Sequence, residues 1–213
     1  GDTLDAERLK DYLGANGYVR TDTVREAGEY AWRGGLFDIF PTGRDQPLRV
    51  DLFGPQVESI RSFDAATQRT LAPETSLQLL PVAEFALDAE SIARFRQRYR
   101  ETFGAVLDDD PLYAAVSEGR RHGGMEHWLP LFHDHLDTLL DYLPDNVTLT
   151  LDAQTEAAMD ARLGQIADFY TARQDMQQVD RRLKTPPYKP VPVDTLFLDR
   201  PFWKRHRDLR PVV

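Results

Sequence analysis

Residues 28–41 read Gly28-Glu-Tyr-Ala-Trp-Arg33-Gly-Gly-Leu-Phe-Asp-Ile-Phe-Pro41, and residues 48–64 read Leu48-Arg-Val-Asp-Leu-Phe53-Gly-Pro-Gln-Val-Glu-Ser-Ile-Arg-Ser-Phe-Asp64, with a polar loop between them. Short apolar runs joined by glycine- and proline-marked turns predict a meander of antiparallel strands. The strands are expected at Tyr18–Val24, Gly28–Arg33, Leu36–Phe40, Leu48–Phe53 and Val57–Phe63, with a tight hairpin at Gly34-Gly35 and a longer turn from Pro41 to Pro47. Side chains alternate along a strand, so Leu48, Val50 and Leu52 share one face while Arg49, Asp51 and Phe53 share the other. A phenylalanine closing a row of charges does little for folding. Aromatics and arginine are, however, the usual anchors of protein interfaces. Ile60 alternates out of phase with Val57 and Phe63, which calls for a bulge or for burial on both faces.

Working outward, residues 4–13 carry Leu4, Leu9 and Leu13 against Glu7, Arg8 and Lys10, an amphipathic helix stopped by Gly14 and Gly17. Strand pattern gives way to helical periods near residues 84–89. Ile92, Phe95, Tyr99 and Phe103 mark one helical face before Gly104. Residues 111–118 and His135–Tyr142 are also expected to be helical, as is Thr155–Arg182, where Met159, Leu163, Ile166 and Phe169 recur in period. Val147–Leu151 reads as the clearest strand of the second half, and Pro186, Pro187, Pro190 and Pro192 as a linker. The fold class expected is α/β (α+β): a small antiparallel-sheet domain over 1–86 and an α/β lobe over 87–213. Gly1 reads as a tag remnant and Arg210-Pro-Val-Val213 as the start of a strand, so a piece of a longer protein is expected.

The 213 residues contain no cysteine, which excludes a disulfide framework, thiolate chemistry and zinc fingers. No run of about 18 apolar residues exists, so no membrane span is expected; the reading is cytoplasmic. A net charge of −9 disfavours phosphate-backbone binding unless basic residues cluster. None of the 13 glycines is followed by lysine, so no phosphate-binding loop can be drawn, and neither ATP binding nor any other cofactor is expected. His122, Glu126, His127, His133, Asp134 and His135 lack the spacing of a metal helix and are interrupted by Pro130, so they are read as polar surface. No serine sits in a Gly-x-Ser-x-Gly elbow, and Asp108-Asp109-Asp110 is read as a loop and helix cap. Trp128 is assigned to the second core, and Trp203, in a basic tail, to packing.

The run from Gly28 to Leu71 resembles the UvrB-homology module of the bacterial transcription-repair coupling factors. The resemblance continues more loosely through Leu79–Phe85 and Gly124–Phe132. UvrB itself shares the arginine-glycine turn and the strand that runs Arg, hydrophobic, acid, hydrophobic, Phe. The resemblance implies a docking surface for the damage-recognition ATPase UvrA, carried by Arg33, Arg49 and Phe53, with Asp51 in the same row and Arg20 matching a basic position more weakly. Trp32 is a bulkier neighbour of Arg33 than the family pattern suggests. The second lobe is similar to a degenerate relative of the UvrB motor fold, which implies a non-catalytic piece of an ATP-dependent translocase. RNA polymerase and DNA would then be handled by other domains. The function implied is recruitment of nucleotide excision repair. The alternatives are a nucleic-acid-binding or motor lobe acting directly on DNA and, on the histidines alone, a metal-dependent hydrolase.

Overall fold

The computed structural model describes residues 2–106, 110–144, 146–183 and 188–209, with the backbone alone over 178–183. The chain divides into two units, Gly1–Ala89 and Glu90–Val213. The first holds a helix and a six-stranded sheet and the second holds helices, so the chain as a whole is an α+β protein.

The first unit opens with helix α1 (Ala6–Ala15), capped by the Asp5 carboxylate, which accepts from the Glu7 and Arg8 amides. The sheet runs in sequence order through β1 (Val19–Arg20), β2 (Glu29–Arg33), β3 (Leu36–Ile39), β4 (Leu48–Phe53), β5 (Gln56–Phe63) and β6 (Thr70–Glu74). The strand expected over Tyr18–Val24 shrinks to two residues, and it runs parallel to β2. All other pairings are antiparallel. The sixth strand is not among those expected, and Pro73 lies inside it. At the edge of a sheet, proline leaves no ladder bond unmade.

Both faces of this sheet are covered. On one, Leu9 and Leu13 of α1 pack with Tyr18, Phe37, Ile39, Leu48 and Val50. Each fully buried aliphatic or aromatic side chain there contributes on the order of 2 kcal/mol. On the other, Val24, Ala31 and Phe63 form a smaller cluster with Phe40 against it. The out-of-phase Ile60 is resolved by both devices at once. A register shift at Asp51/Leu52 lets Val57 and Ile60 share the α1 face, while Phe63 turns to the other.

In the second unit, α2 (Ala89–Phe103), α3 (Pro111–Ser117) and α4 (Thr155–Leu183) form where the apolar periods predict them. Two short helices follow, α5 (Val193–Leu196) and α6 (Arg200–Asp208), in the stretch read as linker and tail. Val147–Leu151 joins no strand of the sheet, so the lobe is helical among the described residues. Its alternating Val-Thr-Leu-Thr-Leu has strand propensity, but among the described residues only Leu149 forms an isolated bridge and no strand develops. His135–Tyr142 yields only a 3-10 turn over Leu139–Tyr142. Pro186, Pro187 and residues 210–213 lie outside the described residues. Arg94 and Arg98 of α2 tie down the irregular segment after α3 by donating to the carbonyls of Phe132 (2.9 Å) and Pro130 (3.1 Å). Trp128 is buried there, as expected, and its indole N–H donates to the Lys189 carbonyl at 2.7 Å.

Candidate functional site

The sheet face opposite α1 gathers most of the charges singled out in the sequence. β2 and β3 turn through Gly34-Gly35, with Arg33 paired to Leu36. Gly34 takes a φ of 59°, in the left-handed region that glycine adopts freely. A Cβ on Gly35 would lie 2.7 Å from the Leu52 carbonyl, because the Leu52 amide donates to the Gly35 carbonyl at 2.7 Å. This close approach sets the β2–β3 turn beside the end of β4, where Phe53 precedes the Gly54-Pro55 turn.

Asp38 organises the charges on this face. It stands between Phe37 and Ile39 but points to the opposite side of β3, in register with Ala31 on β2 and Arg49 on β4. Its side chain is 1% exposed. Arg49 donates to it through Nε at 2.7 Å and Nη2 at 2.8 Å, and Arg33 through Nη2 at 2.5 Å. The Arg49 guanidinium also lies over the buried Phe63 ring at 4.7 Å. The hydrogen bond to Asp38 pushes the Arg49 pKa upward against the opposing effect of burial. Arg33 donates a further bond to the Asp22 carbonyl at 3.3 Å.

Asp51 accepts from Ser59 and from Arg61, its cross-strand neighbours. Burial pushes its carboxyl up, but those two bonds and the nearby arginines hold it below the usual carboxylate range. Phe53, two residues further along β4, is 74% exposed.

Arg33, Arg49, Asp51 and Phe53 therefore form one patch, and Arg20 does not join it. Arg20 lies on edge strand β1, exposed and three strands from β4. The patch departs from the sequence reading at Arg49. The strand pattern makes it a free surface residue, yet its side chain is only 17% exposed and locked to a buried carboxylate. Asp38 was not singled out. The signal was present, since a lone acid between Phe37 and Ile39 must face away from their core, but its partner could not be known without the register. Trp32 is not a rim residue of this patch. It points to the α1 face, packs 4.8 Å from Phe37, and donates to the Gly34 carbonyl at 3.2 Å. With Leu52 and Pro55 it lines a cleft of about 640 Å³ on that side of the turns.

The histidine segment is engaged locally. His127 Nδ1 meets the Tyr188 hydroxyl at 3.0 Å, His135 lies 3.4 Å from Asp137, and Asp134 accepts from Arg94 and Arg98. Among the described residues, no group of three or more such side chains is arranged to hold a metal ion. No helix among them is long and apolar enough to cross a membrane.

Residues 1–85, which hold the small mixed sheet with an arginine-and-aromatic patch at its hairpin turns, match the family model of the UvrB interaction domain. Over most of its length the chain is a homologue of transcription-repair-coupling factors. It is 40% identical over 192 residues to the transcription-repair-coupling factor of Haemophilus influenzae, covering 90% of this chain and 16% of that protein. With the Escherichia coli factor it shares 36% identity over 208 residues, 96% of this chain and 18% of the relative. The Bacillus subtilis factor is 32% identical over 166 residues, 71% of this chain and 14% of the relative. The chain thus spans less than a fifth of the length of these relatives.

Proposed function

We propose that this chain is the UvrA-docking part of a transcription-repair coupling factor, and that the β2–β3–β4 patch is the surface that docks. It would bring nucleotide excision repair to stalled RNA polymerase in the cytoplasm, while other regions of the parent protein handle polymerase and DNA. The piece itself carries out no catalysis and takes no cofactor. The observation that carries this reading is Phe53, 74% exposed at the end of a row that also holds Arg49, with Arg33 in the adjoining turn. An exposed aromatic flanked by arginines is the usual composition of a binding hot spot. Asp51 adds an acceptor at the rim.

Direct action on DNA is the poorer fit. The chain carries a net charge of −9. Two arginines of the basic helix α6 are already committed to acids of α4. Arg207 pairs with Glu156 at 2.8 Å, and Arg200 with Glu156 and Asp160. A pull-down with purified UvrA run beside a DNA gel-shift tests the choice. UvrA retention without a DNA shift is expected. A shift with no retention of UvrA contradicts the proposal.

A further inference from the structure

Three charges meet at Asp38, and they do not cancel. One carboxylate accepts from two guanidiniums, which leaves a surplus of one positive charge. Asp51, the other acid of the β4 row, is engaged by Arg61 and Ser59. The two arginines also differ in freedom. Arg49 is held side-on by a two-bond fork to Asp38 and flat over Phe63. Arg33 is tethered to Asp38 and to the Asp22 carbonyl, yet its side chain remains 48% exposed.

A buried ion pair is no necessity for folding, because well-packed apolar residues of similar volume serve stability as well or better. A buried carboxylate does provide orientation. Both guanidiniums are ordered before any partner arrives, so their rotamer entropy is not lost again on binding. Their remaining donors suit the planar, forked recognition of a carboxylate, which lysine cannot reproduce.

We infer that Asp38 is the positioning residue of the docking surface. It sets Arg33 and Arg49 as a fixed two-guanidinium platform for a single carboxylate of the partner, beside the apolar contact made by Phe53. This rests on the docking function proposed above and adds the residue that prearranges it and the chemistry it receives. Asp38 itself touches no partner.

The test is a titration of UvrA with the wild-type chain, Asp38→Asn, Arg33→Ala and the double variant. Asp38→Asn keeps the shape of the side chain and removes its charge. It should weaken binding about tenfold, as loss of preorganisation does. The double variant should lose less than the two single losses multiplied together, because Asp38 acts in part through Arg33. The Arg49 Nε–Hε resonance supplies a readout that stability does not move. It should be sharp and slow to exchange in the wild type and broadened in Asp38→Asn, while amide resonances away from the patch stay in place. Should Asp38→Asn not fold at 25 °C, Asp38→Ser, which leaves room for a water, takes its place. Folded variants that bind UvrA within twofold of wild type, or losses that multiply in the double variant, overturn the role of Asp38 alone. A wild-type chain that does not bind UvrA overturns the docking function and this inference together.

Discussion

Each unit of the chain is built around a buried carboxylate, and the two are used differently. In the helical unit, Asp110 caps α3 by accepting from the Tyr113 amide at 3.1 Å, and it also accepts from Tyr99 and from Lys189, the latter at 2.8 Å. Every group there is enclosed. Asp110 and Lys189 side chains are 9% and 10% exposed, and the Lys189 ammonium lies 5.0 Å from the Tyr99 ring centre. The charges balance, one against one, and nothing is left to offer a partner. In the sheet unit, Asp38 is more deeply buried, but it faces two arginines, one of which reaches the surface. The same electrostatics thus closes a core in one unit and tethers a half-exposed guanidinium in the other.

The largest effect should come from breaking the closed pair. Asp110→Ala leaves a buried ammonium and phenol without their acceptor and removes the α3 cap, which should cost about 3 kcal/mol of folding stability. Urea denaturation measures it, and UvrA affinity of the folded protein should not change. Next is Arg49→Ala, which should lower both quantities by about 2 kcal/mol, because the fork to Asp38 is a buried charge-assisted interaction and the guanidinium also belongs to the docking platform. An Arg49→Ala protein as stable as wild type would restore the simple surface reading of that residue.

Gly35→Ala should cost about 1–3 kcal/mol, since its Cβ would meet the Leu52 carbonyl and backbone has to move. The same shift should weaken docking by displacing Phe53. The smallest effect is that of acid. Burial pushes the Asp110 carboxyl up, but the bonds from Lys189, Tyr99 and the Tyr113 amide prevail and hold it below its ordinary value of 3.8. The folded value lies under the unfolded one, so the stabilisation is full above about pH 4 and is lost as pH falls through the folded value. Asp51, also held low, adds in the same direction. Asp110→Ala should flatten this acid limb, and an unchanged limb would place the dependence elsewhere.

Much of the sheet was legible because its apolar residues alternate. Leu48, Val50 and Leu52 fixed which way Arg49, Asp51 and Phe53 point, and Gly34-Gly35 fixed the turn that brings Arg33 beside them. Pairing was not legible. Asp38 and Arg49 are 11 residues apart, and only the register of β3 against β4 sets them opposite each other. Hence Arg49 read as surface when it is half-committed to the interior. The converse failure is Val147–Leu151, where local propensity favours a strand but, among the described residues, only a single bridge at Leu149 forms. The helices were read well because their apolar periods span several turns, whereas α5 is a single turn and α6 lies in a strongly polar stretch, where no apolar period announces a helix.

The central claim is that the Arg33–Arg49–Phe53 patch of the sheet, not the closed core of the helical unit, meets the partner. Phe53 tests it most directly, because it is the most exposed residue of the patch and holds no ion pair. Calorimetric titration of UvrA with the wild-type chain and Phe53→Ala is the measurement. The account predicts saturable binding by the wild type, weakened about thirtyfold, or roughly 2 kcal/mol, in the variant, at an unchanged melting temperature. Equal affinity of the two proteins, or a variant that loses binding only as it loses its fold, would contradict it.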